Sequence, residues 1–238
     1  MAAFKRRDGR RADQLRPVRL HPGFVGSADG SCLIEQGGTR VICTASFAEG
    51  VPAWRAGKGL GWVTAEYAML PASTGQRKSR GLDSRATEIQ RLIGRSLRSV
   101  VRFDRLGENT VHLDCDVLEA DGGTRTAAIT GAYVALGRAV VGAAKRGLCR
   151  RGVLSGKLAA VSVGVIDGRA ALDLDYTEDV AAEVDMNIVM TGGGRFVEIQ
   201  GTAEGGAFGR DALDDLLRLA GRGIRKLFPM QGKPWIER

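Results

Sequence analysis

Six carboxylates fall within the sixteen residues 172–187 (LDLDYTEDVAAEVDMN): Asp173, Asp175, Glu178, Asp179, Glu183 and Asp185. Five of them occupy odd positions, while apolar Leu172, Leu174, Val180, Ala182, Val184 and Met186 occupy even ones. In an extended chain that parity sends one set into a core and gathers the other on a single face. Carboxylates crowded on one face repel one another and call for a cation nearby. A metal ion, a proton-transfer site or a set of Arg partners would each answer that demand. Asp179 and Asp185, an even offset apart, would share a face of one strand, with a bend possible at Val180–Ala182. Magnesium takes one or two carboxylates, keeps several waters and binds substrate phosphates. Such a pair could therefore set it against a phosphodiester under attack. Spacing alone does not choose among the six acids, and a solvated acidic strand face would carry the same pattern.

A second constellation is Asp121-Gly122-Gly123-Thr124-Arg125, which links a strand to the start of a helix. Glycines let the backbone approach a ligand closely. The first helical N–H groups lack intrahelical partners, and the helix dipole favours an anion beside them. Arg125 adds a planar fork able to grip phosphate at two points. A plain Gly-rich turn followed by a surface Arg is the simpler alternative.

The chain carries a net charge of +8, unevenly spread. Residues 1–20 balance to +5 and residues 76–105 to +6, so the remaining residues sum to −3. Two basic blocks on a slightly acidic body suggest a polyanionic partner, although solvated surfaces could look the same. Basic blocks for a nucleic-acid backbone, a turn for an anion and an acidic segment for a metal are together what an enzyme acting on phosphodiesters needs. Only His21 and His112 are present, so a His-rich zinc site or a Ser-His-Asp triad is poorly supplied. There is neither a GxGxxG turn after a strand nor a GxxxxGK[ST] loop. The basic N-terminus lacks the apolar run of a secretory signal, and no stretch approaches the roughly 20 apolar residues of a membrane span. The cysteines Cys32, Cys43, Cys115 and Cys149 show no CxxC pairing and read as small hydrophobes in a reducing cytosol.

Short strands separated by HPG, ADG and QGG turns dominate the first third: 18–20, 31–35, 39–47 and 62–67. Residues 86–102 predict an amphipathic helix with Ile89, Leu92, Ile93, Leu97, Val100 and Val101 as its stripe. Arg91, Arg95, Arg98 and Arg102 would line its opposite face, toward solvent, a subunit contact or an RNA path. A strand at 111–119 precedes a helix over 124–145 that is apolar nearly all round, hence buried. Strands at 158–166, 170–175, 180–190 and 196–200 follow, then a helix over 211–228 ended by Pro229. This order argues for an α+β fold, mixed sheets packed with helices, and hints at two similar halves with a break in 145–156. One domain would then span residues 1–238, its halves about 1–145 and 157–238.

The sequence resembles the ribonuclease PH family over essentially its whole length. The matching segments are DGRRADQLRPV (8–18), GSCLIEQGGTRVICTAS (30–46), GWVTAEYAMLP (61–71), TEIQRLIGRSLR (87–98), LDCDVLEADGGTRTAAITGAYVAL (113–136), LDLDYTEDVAAEVDMNIVMT (172–191) and EIQGTAEG (198–205). The resemblance implies the family's fold and a phosphate-dependent 3′-to-5′ exoribonuclease. Inorganic phosphate, the co-substrate, would attack the 3′-terminal phosphodiester and release a nucleoside diphosphate, with Mg2+ as cofactor. The reverse nucleotidyl transfer would also run. The substrate implied is the 3′ end of precursor tRNA. Gly123, Thr124 and Arg125, joined by Arg85, would bind phosphate. Asp179 and Asp185 would hold the metal and assist proton transfer, so that the catalytic set is Arg85, Arg125, Asp179 and Asp185. The loop between Pro71 and Arg85 would meet RNA through Arg77, Lys78 and Arg80. The assembly implied is a homohexamer, a trimer of dimers, in the cytoplasm and without membrane contact. The chain departs from the family in that loop: Ala72 stands where an Arg usually follows MLP, and the loop is several residues shorter. Thr87 also replaces a common Met. A catalytically silent RNA-binding ring subunit of the exosome type is the alternative reading.

Overall fold

The computed structural model describes residues 6–79, 81 and 84–232. Its first sheet has five strands: β1 (Val18–Pro22), β2 (Gly30–Gln36), β3 (Thr39–Glu49), β4 (Trp62–Met69) and β5 (Asn109–Glu119). They lie in the order β1-β2-β3-β5-β4, all neighbours antiparallel except the parallel β4–β5 pair. The crossover joining that parallel pair contains α1 (Ser84–Arg98) and the short α2 (Phe103–Leu106). α3 (Thr124–Lys145) follows β5. The second sheet comprises β6 (Leu158–Ile166), β7 (Arg169–Leu172), β8 (Val184–Thr191) and β9 (Phe196–Ala203) in the order β7-β6-β8-β9, all antiparallel. Between β7 and β8 lies α4 (Tyr176–Ala181), and α5 (Arg210–Met230) closes the described chain.

The layering follows from the side chains. α3 packs on β2 and β3 of the first sheet and on β6 of the second. A helix between two sheets has no solvent face, which is why Ala127, Ala128, Ile129, Tyr133, Val134 and Leu136 are all buried. Close approach needs small residues. A Cβ on Gly131 would meet the Cys43 Sγ and Ile34 side-chain atoms at 2.9 Å, and one on Gly30 would meet the Ala135 carbonyl oxygen at 2.1 Å. α3 is the one helix among the described residues that is long and apolar enough to cross a membrane, and it is largely buried inside the fold. The opposite face of the second sheet, through Val161, Val163, Met186 and Ile188, packs on Leu216, Ala220, Ile224 and Leu227 of α5. β6 is thus apolar along its length because both its faces are covered.

The α+β architecture with two sheet-and-helix halves is as expected, and so are most element positions. Three differ. The strand expected over 180–190 is replaced by α4 followed by β8. Asp175 caps α4: its carboxylate accepts from the Glu178 N–H at 2.9 Å, and the Glu178 carboxylate accepts from the Asp175 N–H at 3.1 Å. This reciprocal capping box favours one helical turn over an extended chain. Val180, placed in the core by parity, is consequently 69% exposed. The strand expected over 170–175 ends at Leu172, because Asp173 adopts a left-handed conformation at φ 58°. Finally, α1 stops at Arg98, so Val100 and Val101 join the core from a turn rather than from the helix, and Pro229 sits inside the last turn of α5.

Candidate active site

Four helix and strand ends converge on a cleft of about 540 Å³. Arg85 reaches it from the first turn of α1, Arg125 from the first turn of α3, Asp179 from α4 and Asp185 from β8. Thus the four residues expected to be catalytic from the sequence share one cavity, with Gly123 and Thr124 at the head of the helix that presents Arg125. Gly123 is left-handed at φ 66°, and no side chain caps α3. The 22-residue helix therefore offers its first amides and the positive end of its dipole to an anion. The Tyr67 hydroxyl donates to the Thr124 Oγ1 at 2.9 Å, fixing the hydroxyl at the helix head.

Gly122 holds the two halves of the site together. At φ 73° it lies so close to the segment 174–176 that a Cβ would meet the Leu174 carbonyl oxygen and the Asp175 carbonyl carbon at 2.6 Å. Asp121 accepts a hydrogen bond from the Tyr176 N–H at 3.3 Å across the same junction. Arg16, buried, completes it. Its guanidinium donates to the carbonyls of Asp121 and Gly122 on one side and to the Asp173 carboxylate, at 2.7 and 3.1 Å, on the other.

The acids of 172–187 divide around α4. Asp173 is fully buried, and its oxygens also receive the Arg16 N–H and the Gln36 amide, each at 2.7 Å. Glu178 accepts from the buried guanidiniums of Arg6 and Arg10. Burial pushes the Glu178 carboxyl up, but the hydrogen bond and charge of Arg6 outweigh it, and the net shift is downward. Asp179 and Asp185 face the other way. Burial raises Asp179 against the pull of Arg85, Arg125 and Arg16. Burial and the neighbouring Asp179 push Asp185 up to about 6, although Arg125 and Arg85 oppose the shift. One oxygen of Asp185, Oδ1, is buried without any hydrogen-bond partner. An unpaired buried carboxylate oxygen is costly, and it is what a cation would satisfy.

Among the described residues no group of three or more His, Cys, Asp or Glu side chains could cage a metal. Two carboxylates beside an anion-binding turn suit magnesium, which retains waters and shares its coordination with phosphate. The residues present therefore fit that ion.

Glu88, Asn187, Gln200, Thr202 and Glu204 complete the cleft without having been singled out from the sequence. Arg125 donates to the Gln200 Oε1 at 2.9 Å and lies 3.7 Å from Glu88, and the Gln200 amide donates to Glu88 at 2.6 Å. Asp185 pairs with Thr202 and Asn187 with Gln200 across β8 and β9. Polar residues at every second position, 198, 200 and 202, carry the signal of one polar strand face. In the loop after β4, Arg77 and Lys78 are exposed but do not line the cleft, and Arg80 lies outside the described residues.

Two family models match the chain, domain 1 of the 3′ exoribonuclease family over residues 14–141 and domain 2 over residues 158–223. Ribonuclease PH from Mycobacterium sp. strain KMS is 58% identical over 233 residues, covering 95% of this chain and 90% of that protein. The same values hold for ribonuclease PH from strain JLS. Among solved structures, an Archaeoglobus fulgidus exosome with RNA bound to its active site superposes with a TM-score of 0.80 at 22% identity, covering 94% of this chain and 91% of its counterpart. Rice (Oryza sativa) Rrp46 superposes with a TM-score of 0.78 at 18% identity, covering 95% and 98%. At those identities the structures speak to fold alone.

Proposed function

From the premise that this chain belongs to the ribonuclease PH family of 3′ exoribonucleases, we propose that the cleft formed by Arg85, Arg125, Asp179 and Asp185 is where it performs phosphorolysis. The enzyme is a phosphate-dependent 3′ exoribonuclease and nucleotidyltransferase that processes tRNA. The observation that carries the site assignment is the convergence of two arginines from helix N-termini with two carboxylates, one of which has a buried, unsatisfied oxygen.

Inorganic phosphate would lie at the head of α3, its charge met by the amides after Gly123 and by the forks of Arg125 and Arg85. Gln200 and Glu88 orient Arg125 toward it. An oxygen of that phosphate attacks the phosphorus of the terminal phosphodiester, the P–O3′ bond breaks, and the terminal nucleotide leaves as a diphosphate. Asp179 and Asp185 would hold Mg2+, which when bound neutralises the charge that develops on the phosphoryl oxygens. The same two carboxylates are positioned to move the proton that the departing 3′ oxygen requires. Because phosphate is the nucleophile, diphosphates plus an RNA end run the reaction backwards.

The 3′ end of precursor tRNA is the substrate end proposed for the cleft, with Arg77, Lys78 and Arg80 gripping RNA upstream. A ring-shaped hexamer is the assembly proposed. Exposed Tyr176 on α4 and Phe196 and Ile199 on β9 support it, as apolar side chains that a neighbouring copy would cover. The four cysteines are all free, which suits a reducing cytoplasm. A silent ring subunit is disfavoured, since it would have no use for two arginines and two carboxylates in one cleft. The test is end-labelled RNA incubated with and without phosphate. Diphosphates should appear only with phosphate; equal shortening in phosphate-free buffer, yielding monophosphates, would show hydrolysis instead.

A further inference from the structure

The second basic block reaches well beyond the cleft. At the far end of β4 it meets an aromatic cluster. Trp54, in the 3₁₀ turn Ala53–Arg55, is 56% exposed. Its ring meets Trp62 edge-on at 4.8 Å, and Trp62 stacks on Phe103 at 5.8 Å. The Arg55 guanidinium lies 4.9 Å from the Trp62 ring centre and 4.5 Å from that of Phe103, while Arg98 covers Trp62 at 4.6 Å. The turn is pinned: Arg55 Nε donates to the Gly61 carbonyl at 2.6 Å, and Lys58 Nζ donates to the Trp54 carbonyl at 2.8 Å. Two cations interleaved with three rings, with an exposed indole at the edge, form a rigid positive platform. Arg102, Arg105 and Arg150 continue the positive charge through α2, where the Arg150 N–H donates to the Arg105 carbonyl at 2.9 Å. The acids nearby are Glu49, Asp104 and Glu108, and the Gly59 N–H occupies Glu108 at 2.9 Å. Beside the rings opens a cleft of about 370 Å³ lined by Glu49, Val51, Pro52, Trp62, Thr64, Thr110 and His112.

Building on the reading above that RNA enters with its 3′ end in the cleft, we propose that this platform binds single-stranded RNA upstream of that end, with an unpaired base stacked on Trp54. Exposed aromatic surface flanked by cations is the chemistry that holds a flexible polyanion with π-faces, with little regard to sequence. The spacing sets a length requirement. Trp62 opens β4, and Tyr67, which bonds Thr124 at the head of α3, lies five residues along it. Along the strand axis this is about 17 Å, more than the two backbone steps of a trinucleotide cover. An RNA much shorter than that does not reach the platform.

The test compares a 20-nucleotide unstructured RNA with a trinucleotide, both phosphorolysed by the full chain. For Trp54→Ala the KM of the long RNA should rise about tenfold, the loss of one stacked base, with kcat unchanged and both constants for the trinucleotide unchanged. Trp54→Phe, which keeps a stacking face, should restore most of the loss. Arg102→Glu, at an exposed side chain outside the ring contacts, should weaken long-RNA binding and flatten its salt dependence by about one phosphate contact; it decides the matter if Trp54→Ala lowers the unfolding midpoint. Equal effects on both RNAs, or none on either, overturn the proposal. So does a change in the mass of the assembly, which would make this face a contact between copies of the chain. Failure of the unaltered protein to release diphosphate from any RNA would instead count against the function itself.

Discussion

Glu178 and Asp179 are adjacent in sequence, and their carboxyls are pushed in opposite directions. Glu178 turns back toward the N-terminal arm, where Arg6 and Arg10 hold it ionised. Asp179 turns toward the cleft, where burial dominates and its carboxyl is raised. The same division separates Asp173, whose oxygens are taken by Arg16 and Gln36, from Asp185, whose Oδ1 has no partner. One acidic segment thus serves two purposes. Asp173 and Glu178 are bonded directly to arginine, whereas Asp179 and Asp185 feel arginine only through its charge. The arginines that do approach Asp179 and Asp185, namely Arg85 and Arg125, come from helix N-termini placed to receive an anion of their own. The arm is what makes the division possible: by satisfying Asp173 and Glu178 it fixes both ends of the turn that aims Asp179.

The contrast can be broken from the structural side first. Asp173→Ala leaves the buried Arg16 guanidinium and the Gln36 amide without their acceptor and removes the bonds that hold a left-handed backbone. Breaking one partner of a buried pair costs about 3–5 kcal/mol, so urea unfolding should show a loss of that size, with turnover per folded molecule falling as well because the turn that aims Asp179 loses one of its anchors. A smaller effect is expected on the functional side from Arg125→Lys. Charge is kept but the planar fork is lost, so the KM for phosphate should rise about tenfold, the worth of one charge-assisted hydrogen bond, while the KM for RNA and the unfolding midpoint hold. The smallest effect lies in pH. Because the folded Glu178 carboxyl is below its ordinary value of 4.5, its stabilisation is full above that value and is lost as pH falls through the folded pKa. The stability gap between the unaltered protein and Glu178→Gln should therefore be constant near neutrality and close in acid; a gap that widens in acid would contradict the pairing.

The chemistry of the site was more legible in the sequence than its geometry. Asp179, Asp185, Arg85 and the Gly123-Thr124-Arg125 turn could be named from the family's motifs, and β6, α3 and α5 from their apolar periodicity. Parity failed between Asp173 and Val180 because two local devices override an alternating pattern. One is the capping box Asp175-Tyr176-Thr177-Glu178, whose D-x-x-E spacing is readable in the sequence itself. The other is the left-handed Asp173, stabilised by Arg16 and Gln36 from more than 130 residues away. No local pattern carries that contact. The arm arginines were equally hidden: Arg6, Arg10 and Arg16 counted toward a basic block facing a polyanion, yet they are buried and spent on Asp173 and Glu178. Charge counting does not distinguish a cation that meets RNA from one that closes an internal pair.

The central claim is that Asp185 is held in an unfavourable state for the sake of the reaction. Its most direct test is Asp185→Asn, with diphosphate release and thermal unfolding measured on the same preparation, the latter in chelator. Turnover should fall by about 10²–10³-fold, as when a charge-stabilising group is removed from an active site, while the unfolding midpoint stays level or rises because a buried, unpaired charge has gone. Retained turnover, or turnover lost together with a lowered midpoint, would contradict the account.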